Sequence, residues 1–289
     1  MIDFMVILII LAFIWIIFAV VQDMKSREIA NWLNFSLIIF ALAFRALYSI
    51  FAWDYRYILF GLFGLVVFFI VGNLFYYCRL FAGGDAKLLI ALGAIIPLAN
   101  NWYENFLIFL IFTIALLAFG GIYSLVFSGF LANLHRKRFF SEFLKEIKQN
   151  LVHFFMLVIL AGILASAGMF LDEITLYLLA LFILLLPLLY FYTRSIEKTC
   201  MIRYVDVKDL TIGDWTAERL AVNLGKGKKK RIIEPNWEGL SEEELSLLRN
   251  HYKEKVLVKQ GIPFSPSFLF ALLALVIIKY YFNANWGLF

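Results

Sequence analysis

Two aspartates are the residues of this chain whose type and setting could do chemistry. Asp23 stands at the end of the first apolar run, in VVQDMKSREIAN, and Asp85 opens the fourth, in FAGGDAKLL. Two carboxylates brought to one water can hydrolyse a peptide bond. One accepts a proton from the water while the other donates one to the scissile carbonyl oxygen. Each aspartate also has a structural reading. Asp at a helix start is a common cap favoured by the helix dipole, and Asp just past a helix is ordinary interfacial polarity. The setting of Asp85 favours chemistry. Gly83 and Gly84 before it form a chain that can bend sharply and approach another backbone. Lys87 is a costly charge to place at a helix entrance without purpose.

The elements that must hold these residues follow from composition. Of 289 residues, 63% are apolar, 16% are charged and 18% are aromatic, with 32 Phe. Soluble domains run near half apolar and a quarter charged, and no compact soluble chain could hide this much apolar surface. Soluble, disordered and fibrous classes are excluded. A membrane-crossing helix needs on the order of 20 apolar residues. The qualifying or nearly qualifying stretches are 4–22, 32–49, 57–77, 85–99, 106–128, 151–171, 174–192 and 263–282. The expected fold is an all-α polytopic membrane protein of about eight transmembrane helices with a small cytoplasmic α+β domain. The expected domains are a membrane helical domain over 1–192 carrying the aspartate pair, a cytoplasmic soluble domain over 193–262, and a final transmembrane helix over 263–289 packing with the first. The pair at 151–171 and 174–192, joined only by Asp172 and Glu173, reads as a helical hairpin or one long bent helix.

Lys and Arg orient the chain. With the N-terminus outside, most of them fall in segments 23–31, 78–84, 129–150 and 193–262, as the excess of cytoplasmic basic residues requires. Both aspartates then lie at the cytoplasmic edge of a multi-pass cell-membrane protein. Phe139, Phe140, Phe143, Leu144 and Ile147 sit near helical spacing among basic residues. They suggest an amphipathic helix on the inner leaflet, or else a charged loop that fixes topology. In 193–262, Arg203–Val207 alternates like a strand. Ser241–Glu244 has the form of a capping box opening a helix through about Glu254. The run Gly225–Arg231 reads as a basic loop attracted to anionic inner-leaflet headgroups, and nucleic-acid binding is not expected. Pro263 and Pro266 suit the first turn of the last helix. Cys78, Cys200 and three scattered histidines make no ligand spacing, so neither metal nor cofactor is expected.

The two aspartate segments resemble the paired motifs of the type IV prepilin peptidases, the GxGD family of membrane aspartyl proteases. AGGDAKLL is similar to the GxGD-x-K-L signature, DMKSREIAN to the first-aspartate motif ending in Ile-Pro-Asn, and VKQGIPFSPSFLFALL to the closing helix of archaeal members. The resemblance implies that Asp23 and Asp85 are catalytic and that Gly84 precedes the second. Gly83 and Lys87 would support the loop and helix entrance, and the substrate-binding residues stay unknown. It implies a prepilin or preflagellin (archaellin) substrate with a basic leader followed by an apolar helix. The paired-cysteine zinc motif of many bacterial members is absent. That implies the archaeal branch and argues against N-methyltransferase activity. Ala82 stands where the family has its first glycine, and Ala30 where it has proline. A tight loop survives Ala at 82 if φ there is negative.

Position suggests roles for the pair. Asp85, at a helix N-terminus, would start as the base, and Asp23, at a helix C-terminus, as the acid. Two other classes compete. An ion- or proton-coupled transporter would want ionisable groups near the midplane, and the sequence offers only Arg45 within a span, besides charges at helix ends. A catalytically inactive membrane scaffold would draw support from Ala82 and Ala30.

Overall fold

The computed structural model describes residues 4–222, 231–236 and 238–281, with side chains as far as Lys279. The basic run at 225–230 lies outside the described residues. The chain divides into two compact units, one of Met1–Val126 with Pro263–Phe289 and one of Phe127–Ile262.

The first unit holds α1 (Phe4–Ser26), α2 (Asn31–Phe51), α3 (Arg56–Tyr77), α4 (Gly83–Gly93), most of α5 (Trp102–Leu134) and α10 (Pro266–Tyr281). These helices are apolar nearly all round, so the informative pattern is which residues each one buries. On α1 the stripe is Leu8, Ala12, Ile16, Ala19 and then Asp23, steps of four or three that keep one helix face. On α2 it is Leu33, Leu37, Ala41, Arg45 and Ser49, with Asn34 beside it. A charge on a buried stripe faces the protein interior and needs partners there. On α3 the stripe is Phe60, Gly61, Gly64, Phe68 and Gly72. Small residues let two helix backbones touch where no hydrophobic force drives apolar helices together in lipid.

The contact between α3 and α4 is nearly backbone to backbone. A Cβ on Gly64 would lie 2.2 Å from the Gly93 carbonyl oxygen, and one on Gly93 would lie 2.6 Å from that of Gly64. Neither obstacle is a movable side chain. Gly64→Ala and Gly93→Ala are therefore expected to destabilise the unit by about 3 kcal/mol, the upper end for overpacking. Gly121→Ala on α5, where nothing lies within 4 Å of the added methyl, should leave the melting temperature in detergent unchanged. Equal melting of all three variants would contradict the close approach.

The stretch 85–99 is not one helix. α4 starts at Gly83 and stops at Gly93, and residues 94–99 run on as buried non-helical chain. Pro97 favours the break, since its missing N–H removes a helix hydrogen bond and its ring clashes with the preceding turn. Three of the freed carbonyls share one partner. Arg45 donates from Nε to Ala94 O (2.7 Å) and from Nη2 to Ile95 O (3.0 Å) and Pro97 O (2.6 Å). Its Nη1 donates to Tyr57 O at 3.1 Å. Asn105 closes the segment, accepting from Ala99 N–H at 3.0 Å and donating to Ala99 O at 2.9 Å. Irregular backbone at membrane depth is tolerated only where protein satisfies it in this way. Arg45, on the buried stripe of α2, is thus committed to backbone carbonyls.

The second unit contains the end of α5, α6 (Arg136–Gln149), α7 (Leu151–Leu171) and α8 (Ile174–Thr199). α7 and α8 form the hairpin, turned by Asp172 in a left-handed conformation (φ 51°). α6 is the amphipathic segment. It packs Phe139 against Tyr192 of α8, with ring centroids 5.6 Å apart, while Phe140 and Leu144 stay exposed. Its buried Glu146 pairs with Lys198 and, at 3.3 Å, with Arg194.

Beyond α8 come β1 (Ile202–Val205), β2 (Trp215–Thr216), β3 (Leu220–Val222), β4 (Arg231–Ile233), α9 (Glu242–His251) and β5 (Val256–Lys259). β5 lies between β1 and β2, antiparallel to both, with Ile202 opposite Lys259 and Val205 opposite Val256. β3 pairs with β4 as a separate ribbon. Val205, Leu220, Ile233, Leu245, Leu248 and Val258 share a small core. The capping box at Ser241 and Glu244 is formed.

Among the described residues, α1, α2, α3, α5, α7 and α8 are long and apolar enough to cross a membrane, and α10 is a shorter apolar helix. The protein is a polytopic membrane protein with a small strand-containing region toward its C-terminus.

Candidate active site

Asp23 lies in the last turn of α1, three residues before its end, on the stripe that α1 buries. Asp85 is in the first turn of α4. Each is only 7% exposed. Three independent contacts bring their segments together within the first unit. Lys87 Nζ donates to Asn31 Oδ1 at 2.7 Å, tying α4 to the first residue of α2. A Cβ on Gly84 would meet the Ile29 side chain at 3.4 Å and its backbone nitrogen at 3.5 Å. Phe81, just before the glycines, packs on Phe264, just before α10, with centroids 4.9 Å apart.

The glycines act differently from the expected sharp bend. Both belong to α4 from its first residue, and neither has positive φ. What Gly84 provides is room for Ile29, and a methyl there would sit in ordinary van der Waals contact. Gly83 has still more space, with Tyr76 3.8 Å from a Cβ. Ala82 has φ −70° and ψ 161°, so alanine in the family's first glycine position carries no backbone strain. Ala30 has φ −63°, the angle at which a proline ring would be locked. Its N–H, which proline would lack, donates to Gln22 Oε1 at 3.1 Å. Both departures from the motif therefore keep its backbone.

A partner absent from the sequence reading comes from α10. The backbone N–H of Ser265 donates to Asp23 Oδ2 at 3.1 Å. Pro266 opens the helix at the position where its missing N–H costs little, as expected, while Pro263 precedes it. Both carboxylates thus stand at the start of a helix, Asp85 within α4 and Asp23 against α10. The helix-end asymmetry that assigned base to Asp85 and acid to Asp23 no longer separates them. The sequence signal was present in Ser-Pro, a helix-opening pair, but nothing in it pointed to Asp23.

Lys87 is exposed and its one contact joins the two motifs. Lys87→Met is expected to cost about 1 kcal/mol, the net worth of such a bond. Thermal unfolding in detergent measures it, and an unchanged transition would show that the contact does not hold the motifs together.

Residues 10–131 match the Type IV leader peptidase family. The preflagellin peptidase of Methanocaldococcus jannaschii is 36% identical over 87 residues, 30% of this chain and 37% of that protein. The preflagellin peptidase of Methanococcus maripaludis is 38% identical over 82 residues, 28% of this chain and 35% of that protein. Each matched stretch therefore spans little more than a third of the relative's length. No solved structure matches the chain. The matched stretch, residues 10–131, carries both aspartates.

Proposed function

We propose that the protein is a membrane aspartyl endopeptidase that removes short basic leaders from type IV prepilin-like or preflagellin precursors at the cytoplasmic membrane face. The observation that carries this reading is the pair of nearly buried carboxylates, Asp23 and Asp85, on segments joined by the Lys87–Asn31 hydrogen bond and by Gly84 against Ile29. Like charges so poorly solvated repel strongly, and the pair avoids this by holding one proton between them. The ionised carboxylate takes a proton from a shared water as the water attacks the scissile carbonyl carbon. The protonated one gives its proton to the carbonyl oxygen. As the diol collapses, the newly protonated carboxyl gives its proton to the leaving amine and the other carboxylate takes one from a diol hydroxyl, which restores the pair. Ser265 holds Asp23 in place through its amide, and Lys87, Gly83 and Gly84 shape the entrance of α4.

The preflagellin peptidases that match this chain suggest the substrate class. A precursor with a basic leader ahead of an apolar helix would leave the leader at the inner surface and lay the helix in the bilayer beside the enzyme. The basic face of α6 suits anionic lipid headgroups. No metal or cofactor is needed for this chemistry.

The test uses the full chain in liposomes, incubated with a synthetic peptide carrying a short basic leader followed by an apolar helix. Mass spectrometry should find one cut at the leader boundary. An intact peptide beside folded, correctly inserted protein would overturn the reading.

A further inference from the structure

Among the described residues, the buried side-chain polar atoms that lack a hydrogen-bond partner belong to Asn34, Ser265 and Ser267. Asn34 is 3% exposed and both serines are fully buried. An unpaired buried polar group lowers stability, and native proteins carry few of them. These three are not scattered. Ser265 is the residue whose N–H holds Asp23, and Ser267 follows in the first turn of α10. Asn34 lies in the first turn of α2, which Asn31 opens while accepting from Lys87.

The serines have no capping work to do. Ser265 precedes Pro266 and is the residue type that ordinarily caps a helix with its hydroxyl. Here the backbone is satisfied without it. Ser265 N–H goes to Asp23, Ser267 N–H to Phe264 O at 3.0 Å, and Phe268 N–H to Ser265 O at 3.1 Å. Both hydroxyls stay spare, one of them on the residue whose N–H holds Asp23.

Resting on the protease reading above, we infer that Asn34, Ser265 and Ser267 seat the peptide backbone of the substrate next to the aspartate pair. A scissile peptide must be extended to be attacked, and an extended strand carries free N–H and C=O groups that a buried site must satisfy. Hydroxyls and a carboxamide can each donate and accept, so they pair with peptide groups regardless of side chain. Ser265 and Ser267 lie outside the residues that match the leader peptidase family.

The inference separates activity from stability. Ser265→Ala, Ser267→Ala and Asn34→Leu remove unpaired polar atoms with little change in volume, so melting temperatures should hold or rise. Each variant should lose roughly ten- to hundredfold in kcat/KM on the leader peptide, the value of one or two hydrogen bonds to substrate. Full rates in all three variants beside an active wild type would overturn this inference alone. A loss of rate that only tracks a lower melting temperature would also overturn it, since the groups would then be structural. A wild type that leaves the peptide uncut, like Asp23→Asn, would instead remove the protease reading.

Discussion

Asp23→Asn and Asp85→Asn should each reduce cleavage of the leader peptide by on the order of 10²–10⁴-fold, the range for removing a positioned general acid or base. Asn matches Asp in shape but cannot carry the shared proton. At Asp23 the new carboxamide oxygen can still accept the Ser265 amide, so the contact between α1 and α10 survives. At Asp85 the neutral carboxamide leaves a single charge in the poorly solvated site, as the shared proton does in the wild type, so folding is not penalised. Both variants should therefore insert and melt near the wild-type temperature while cleaving little. The double variant should lose no more than either single one, because the two groups act as a unit. Initial rates by mass spectrometry, with melting temperature measured on the same samples, give the result. Appreciable activity in either single variant would remove the pair from the chemistry.

Much of this site could be read from the sequence, for a physical reason. A carboxylate on an otherwise apolar run stands out because lipid-facing positions exclude it, and that marked Asp23 and Asp85. The capping box at Ser241 and the hairpin turn at Asp172 were legible because local residue chemistry decides them. The contacts that were not legible are long-range and made by backbone or by small residues. Gly64 and Gly93 look like any glycine in an apolar run until α3 meets α4. Ser265 reads as a helix start, and only the fold takes its N–H to Asp23. The end of α4 at Gly93 was missed because hydropathy runs on through Pro97, and hydropathy does not register where a helix stops inside the apolar layer. The condition set by Ala82 needed a φ value, and that φ is negative.

The non-helical stretch after α4 leads to a second large effect, on stability. Arg45 is 1% exposed and reaches four carbonyl oxygens, those of Tyr57, Ala94, Ile95 and Pro97. Its guanidinium also lies over the Phe4 ring, 5.6 Å from the centroid. The planar fork suits this work because its donors diverge in fixed directions, whereas a lysine ammonium is a single point with fewer donors. Arg45→Met fills much of the same space but leaves all four oxygens without their donor in a buried setting. Relief from burying a charge offsets part of that loss, so the net effect is expected to be on the order of 3–5 kcal/mol, as when one partner of a buried charged group is removed. Arg45→Lys should fall between the variant and the wild type. Arg56→Met removes an exposed partner of Asp54 and should change little. Gly61 adds an independent check. A Cβ there would lie 2.4 Å from Arg45 Cδ, so Gly61→Ala should harm the wild type and be tolerated better once Arg45 is shortened to Ala. Melting temperature and the monodisperse fraction in detergent read all of these. A Gly61→Ala cost that stays the same with and without the arginine would show that α3 and Arg45 are not packed as described.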